Sequence, residues 1–349
     1  MEMSFHGKKY CILGLGHPLL DIQANVSEKL LKKYVVKANG ATLSGPGQIG
    51  LYEDLLANFN LTYVAGGSAQ NTMRMIQWLL QDSKTISCSY LGCVGNDKSG
   101  EILLQNMEET GVQAVYEVSN ALPTGVCLVL VSGSNRSLVT SLGAAAVFSL
   151  DFLREKPAWG MVKEASMYYF LGYFLVSSMD SVMAIVEHAV ARRKVVCFNL
   201  GAPYVCRLFT ERVDRILPYT DLVIGTGDEA LAFAEAHQMK DRSLTAVAKF
   251  IAGYGWVGRP RHRLVIITQG PDPILLVSSE NMLVHTIPVD PIPPENTVDT
   301  NGAGDAFAAG FISEFITSGS VEDATLAGKK AAAYILGKSG FSLGPRTEY

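Results

Sequence analysis

The run Asp299-Thr300-Asn301-Gly302-Ala303-Gly304-Asp305-Ala306-Phe307 carries the clearest chemistry in this 349-residue chain. Gly302, Ala303 and Gly304 can turn their backbone N–H groups toward one point with no side chains in the way. An apolar stretch from Ala306 to Phe315 follows, so those donors would sit at the positive end of a helix dipole and suit a phosphate. A carboxylate at Asp305 repels a simple anion. It makes sense there if it must take a proton from a hydroxyl that attacks the phosphate. The alternative is that Asp305 only caps the helix. A second glycine pair opens a helix at Ala65-Gly66-Gly67-Ser68-Ala69-Gln70-Asn71. There the backbone allows close approach, and Ser68 and Asn71 offer hydrogen bonds on one helix face, unless Ser68 is merely an N-cap. Asp21, after the apolar Pro18-Leu19-Leu20, could accept a bidentate hydrogen bond from a vicinal diol or simply close a turn.

Two other glycine runs do not qualify. Gly14-Leu15-Gly16-His17-Pro18-Leu19 lacks the third glycine of a dinucleotide fingerprint, and Pro18 disrupts the turn into a helix. The run from Gly92 to Ser99 resembles a P-loop but places Asp97 where the second glycine must be.

The elements that must hold these residues follow from periodicity. Short β-branched runs alternate with helical patterns, which predicts an α/β fold with a mostly parallel sheet sandwiched by helices. Strands are expected at Tyr10–Leu15, Ile86–Val94, Met167–Leu175, Val195–Leu200, Leu222–Ile224 and Leu264–Thr268. Helices are expected at Ser68–Leu80, Gly100–Thr110, Ser181–Arg192, Asp228–His237, Leu244–Ala252, Asp305–Thr317 and Val321–Leu336. Two stretches break the rhythm: Asp21 to Val64, in short strand-like pieces, and Thr124 to Ser141, a hairpin turning at Gly133-Ser134-Asn135. Together they predict a small β-sheet lid. The division is 1–18, 67–122 and 143–349 for the large domain and 19–66 and 123–142 for the lid.

Apolar residues make up 48% of the chain and charged residues 18%, enough for a large buried core. A net charge of -4 argues against a nucleic-acid partner, and the basic run Arg259-Pro260-Arg261-His262-Arg263 is expected to be a solvated loop. The longest apolar patch, Met167 to Val176, is too short to span a membrane, and Met1 to Lys9 lacks the apolar stretch of a secretory signal. Six scattered cysteines without a CxxC pair suit reduced thiols in the cytosol, with nuclear residence left open. The histidines have no metal-ligand spacing.

Taken in order, Asp21, the Gly66-Gly67 helix start and the Gly302–Asp305 turn make the chain similar to the ribokinase-like (PfkB) carbohydrate kinases. The last segment matches that family's signature almost residue for residue, and the resemblance runs over nearly the whole chain. The strings Gly16-His17-Pro18-Leu19-Leu20-Asp21, Pro123-Thr124-Gly125-Val126-Cys127, Asn135-Arg136-Ser137-Leu138, Gly172-Tyr173-Phe174-Leu175 and Asn199-Leu200-Gly201-Ala202-Pro203 resemble most the branch that phosphorylates adenosine.

That resemblance implies a nucleoside between lid and sheet. Asp21 would hold the ribose hydroxyls with Gly66, Gly67, Ser68 and Asn71 beside it. His17, Leu19, Leu43, Cys127, Leu138, Phe174 and Tyr204 would surround the nucleoside. The reaction implied is transfer of the γ-phosphoryl group of ATP to the 5′-hydroxyl of adenosine, giving AMP and ADP, a step of purine salvage. Asp305 would be the base, the Gly302-Ala303-Gly304 amides would hold the charge of the transferred group, and Arg136 would reach the phosphates on lid closure. Thr226, Glu229, Thr268, Gly270 and Asn301 would meet ATP, with Mg2+ held near Glu229 through water. Thr226 stands where the family usually has the asparagine of an Asn-x-x-Glu motif, and His17 where an asparagine commonly meets the nucleoside. The partners implied are the small molecules adenosine and ATP, with a monomer as the assembly. Two rivals stay open: a related kinase for ribose, fructose or another nucleoside, and a nucleoside-binding regulatory protein that has lost catalysis.

Overall fold

The computed structural model describes residues 9–38, 40–133, 135–255, 262–293 and 296–349. Fourteen strands lie among them: β1 Tyr10–Leu15, β2 Leu19–Asn25, β3 Ala41–Leu43, β4 Thr62–Gly66, β5 Ile86–Gly95, β6 Gln113–Ser119, β7 Val126–Ser132 and β8 Asn135–Ser141. They continue with β9 Met167–Leu171, β10 Val195–Asn199, β11 Leu222–Thr226, β12 Leu264–Gln269, β13 Asp272–Ser278 and β14 Val284–Ile287.

Nine of these form one sheet in the order β14-β13-β12-β11-β10-β9-β1-β5-β6. From β12 to β6 every neighbouring pair is parallel, while β13 and β14 add an antiparallel edge. Every residue of β9 and β10 is buried, because helices cover both faces. One core joins the sheet to the helices Met179–Ala191, Gly227–Ala236 and Leu244–Gly253; the other joins it to Ser68–Leu79, Ala303–Ser318 and Val321–Leu336. Fully buried side chains such as Phe170, Phe198 and Phe311 each contribute about 1.5–3 kcal/mol to these layers.

The remaining strands form a second sheet, β3-β8-β7-β2-β4. One face packs Leu20, Ile22, Leu128 and Leu130 against Leu30 and Leu31, Leu51 and Leu55, and Leu103. The first four of these helical leucines lie on Glu28–Lys33 and Leu51–Asn58, helices within a stretch expected to hold only strand-like pieces. Ser27 caps the first, its Oγ accepting from Leu30 N, but six residues are too few for a helical period to stand out. β6, β13 and β14 also lie outside the expected strands.

Two further expectations are corrected. The strand expected at Met167–Leu175 stops at Leu171, and Gly172–Ser177 is a short helix. Phe174 and Leu175 are wholly buried in the helix, as the strand before it is, so an apolar run does not mark the change. Arg263, expected in a solvated loop, has no exposed surface. Its guanidinium donates to the carbonyls of Thr220 (3.0 Å), Ile251 (2.5 Å), Tyr254 (2.8 Å) and Leu217. Residues 259–261 of that run, Ser134 at the hairpin turn and residues 1–8 lie outside the described residues. All six cysteines are free thiols. Among the described residues no helix is long and apolar enough to cross a membrane.

Candidate active site

The carboxyl ends of β9, β10, β11 and β12 open onto a cavity of about 200 Å³, the usual place for a ligand in an open α/β sheet. Leu171, Asn199, Thr226 and Thr268 come from the strand ends, Tyr173, Gly201 and Glu229 from the segments after them, and Ser68, Asn301, Gly302, Gly304, Asp305 and Phe307 close the other side. The two glycine-led helices therefore meet at one wall.

Gly302 sits in the left-handed region at φ +78°, and a Cβ there would lie 2.5 Å from the Phe341 ring. This turn launches the helix Ala303–Ser318, whose first intrahelical bond is Ala306 N to Gly302 O at 2.9 Å. The Gly304 and Asp305 amides precede that bond and are left for a ligand. The Ala303 amide bends back to Thr300 O at 3.4 Å, which makes it the poorest donor of the expected trio.

The Asp305 carboxylate accepts from Ser68 Oγ and from Asn71 Nδ2, the latter at 3.2 Å. Burial pushes its pKa up to about 7; the Ser68 and Asn71 hydrogen bonds oppose that rise, and Glu229 adds to it. A carboxylate near neutrality between two donors suits a general base. Asn71 Oδ1 is buried without a hydrogen-bond partner among the described residues. Asp21 lies on β2 between Val64 of β4 and Cys127 of β7. Its pKa is also pushed up to about 7, by burial first and then by Asp305, with Arg74 pulling the other way. Gly66 is required by contact, since a Cβ would lie 2.2 Å from Asp21 Oδ1, and Gly67, at φ +90°, sits against the His17 carbonyl.

None of the remaining expected nucleoside contacts lines the cavity. Leu19 faces Gly66 across β2 and β4. Cys127 is buried, its sulfur accepting from Thr140 Oγ1 at 3.5 Å. Leu138 pairs with Val129, and Leu43 is an exposed residue of the edge strand β3. His17 Nε2 meets Ser177 Oγ at 2.8 Å, and burial lowers its pKa to about 4, so the ring is neutral. Phe174 has no exposed surface: the His17 ring lies tilted with its centre 5.3 Å away and the Phe148 ring meets it edge-on at 5.6 Å. Tyr204 is half-buried, its ring 6.1 Å from Tyr173.

Thr226 and Glu229 form a capping box. Thr226 Oγ1 accepts from Glu229 N at 3.3 Å, and the Glu229 carboxylate accepts from Thr226 N at 2.9 Å. Burial raises the Glu229 pKa. Thr268 Oγ1 reaches Gly225 O at 3.4 Å, and Gly270 forms the turn into β13. Asn301 N donates to Asp299 Oδ1 at 2.9 Å. Arg136 does not enter the cavity: it pairs with Asp299 at 3.2 Å and touches Gln23 and Ser339. It ties the second sheet to the segment leading into the Gly302 turn.

Tyr173 and Asn199 were not among the expected site residues. Asn199 ends an all-buried apolar strand, donates to Tyr169 Oη at 3.3 Å and accepts from Gly201 N at 3.1 Å. A polar residue closing such a strand is the signal that would have found it.

The pfkB family carbohydrate kinase model matches residues 43–347. Adenosine kinase 2 of Arabidopsis thaliana is 38% identical over 329 residues, 94% of each chain. Adenosine kinase from Schistosoma mansoni, solved in complex with adenosine in an occluded loop conformation, superposes with a TM-score of 0.91 at 36% identity, covering 96% of this chain and 97% of that one. Anopheles gambiae adenosine kinase, solved with P1,P4-di(adenosine-5) tetraphosphate, gives a TM-score of 0.89 at 37% identity, covering 94% and 96%. With the family model matching residues 43–347, a shared fold and identity above one third across nearly its full length, the chain belongs to the pfkB family of carbohydrate kinases.

Proposed function

We propose that this chain transfers the γ-phosphoryl group of ATP to the 5′-hydroxyl of adenosine, producing AMP and ADP. The observation that carries this reading is the Asp305 carboxylate, near neutrality, set at the head of a helix with the Gly304 and Asp305 amides unbonded within it. Asp21 accepts hydrogen bonds from the ribose diol, and Gly66 lets it approach the turn at Gly67. The 5′-hydroxyl then lies toward Asp305. Asp305 takes the hydroxyl proton as the O5′–P bond forms and the bond from the γ-phosphorus to the β-phosphate oxygen breaks, releasing ADP. The helix-head amides stabilise charge on the equatorial oxygens in flight. The general base supplies about 10²–10⁴-fold and in-line positioning much of the rest.

Among the described residues no group of three or more His, Cys, Asp or Glu could cage a metal ion. Mg2+ would keep most of its waters and be met through them. Glu229, a buried carboxylate on the cavity wall, would hold it through water, with the Thr226 hydroxyl beside it. When bound it would neutralise phosphate charge. Residues 19–66 and 123–142 act as a lid over 1–18, 67–122 and 143–349, and closure carries Arg136 toward the phosphates and excludes water.

The test is ADP formation from magnesium–ATP with adenosine, inosine, guanosine and ribose offered separately. Fast turnover with adenosine alone is expected. Turnover with ribose in preference to adenosine would overturn the acceptor assignment.

A further inference from the structure

Arg74 lies on the helix Ser68–Leu79, one turn beyond the Asn71 that touches Asp305, and only 5% of it is exposed. A buried guanidinium is costly unless its charge and its donors are used. Here Nη1 donates to Ala65 O at 3.0 Å, while Nε has no hydrogen-bond partner among the described residues. Hydrogen bonding alone therefore does not account for the charge. Two groups interact with it electrostatically, Tyr116 on β6 and Asp21 on β2. The Tyr116 phenol donates to Gln70 Oε1 at 2.5 Å and burial drives its pKa up, so it is neutral. That leaves Asp21, which lies on β2 beside the β4 residues Val64 and Ala65, the latter held by Nη1, as the anion close enough to act on the guanidinium. Gln70 Nε2 meanwhile donates to Gly66 O at 3.0 Å, so the same helix holds two successive carbonyls of β4 next to Asp21.

We propose that Arg74 is a positioning residue for the acceptor, whose buried charge keeps the Asp21 carboxylate ionised and whose hydrogen bond fixes the strand that packs against it. This rests on the reading of Asp21 as the ribose-diol acceptor. Other groups press on Asp21: Asp305 at the helix head and Asp299, itself paired with Arg136, raise its pKa, and the Cys127 thiol lies opposite it on β7. Burial holds that thiol's pKa near 12, so it is neutral. Arg74 is the one named influence that opposes them. Its own pKa, lowered to about 10, leaves it charged at neutral pH.

The experiment is calorimetric titration of the full chain with adenosine, without ATP, from pH 5.5 to 9.5. Wild type, Arg74→Met, Arg74→Lys and Asp21→Asn are compared, and kcat at saturating adenosine is recorded in parallel. In Arg74→Met the weakening of binding toward acid should begin about one pH unit higher, making Kd roughly fivefold larger at pH 7 and equal to wild type near pH 9.5. kcat should change less than about twofold, and Arg74→Lys, which keeps the charge, should restore the wild-type profile. If Arg74→Met fails to fold, Arg74→Gln drops the charge while keeping a donor for Ala65 O and carries the same test. A pH-independent offset in Kd, or a loss confined to thermal stability, would overturn the inference and reduce Arg74 to packing. Asp21→Asn separates the two layers: unchanged adenosine binding there would refute the acceptor reading itself.

Discussion

Asp21 and Asp305 come from opposite ends of the chain, yet both are pushed toward the protonated form, by burial first, with Asp305 adding to the rise at Asp21 and Glu229 to the rise at Asp305. A base must be ionised to accept a proton, so kcat/KM should rise with pH through about 7 and level off above it. A pH–rate profile that is flat from pH 6 to 8 would contradict that. The same shift has a stability consequence. Because the folded-state value of Asp305 lies above the ordinary carboxylate value, the fold gains from its protonated form, and that gain is lost as pH rises through about 7. Asp305→Asn, which resembles the protonated form, should therefore melt a few degrees above wild type at pH 8. Calorimetric scans should show the difference shrinking as pH falls from 7 toward 4. A variant less stable at pH 8 would show that ionised Asp305 is structurally favourable.

Among the elements, the helix Ala303–Ser318 and the strands β9 to β12 do most to build the site, and β12 is anchored by Arg263. Carbonyls of Leu217 and Thr220 from one turn, and of Ile251, Ala252 and Tyr254 from the end of the helix Leu244–Gly253, converge on that guanidinium. Arg263→Met strands them in the core and should cost about 3–5 kcal/mol in denaturant unfolding. Activity per folded molecule should hold; a loss under 1 kcal/mol would show that water reaches the cluster. Arg263 also marks where sequence patterning fails, since its neighbours Arg259, Arg261 and His262 read as solvated charge and burial has no local signature for one member of a basic run. The anion turn was legible because its glycines and aspartate must be contiguous. The helices Ser68–Leu79 and Val321–Leu336 were legible because they are long enough to show a period. Tyr173 and Asn199 were not read as site residues because tertiary packing of β9 and β10 brings them to the cavity. Phe174 is wholly buried, its aromatic character fitting a core position as well as a ligand wall.

On the scale of the whole molecule, the nine-stranded sheet packs against the helix that begins at the Gly302 turn, and the five-stranded sheet carries Asp21. Arg136, paired with Asp299, links them at the turn. If the smaller sheet closes as a lid, adenosine should reduce the radius of gyration in small-angle scattering; an unchanged value would speak for a rigid pocket. Light scattering should give a single species of 37.7 kDa, whereas twice that mass would reveal a dimer. The central claim is that this architecture delivers a ribose 5′-hydroxyl to Asp305 beside a γ-phosphate. Its most direct test is single-turnover AMP formation by wild type and Asp305→Asn, with adenosine affinity measured on the same samples. The account predicts a fall of about 10²–10⁴-fold in the rate of AMP formation with adenosine affinity held within a few fold. A variant that makes AMP at the wild-type rate would contradict it.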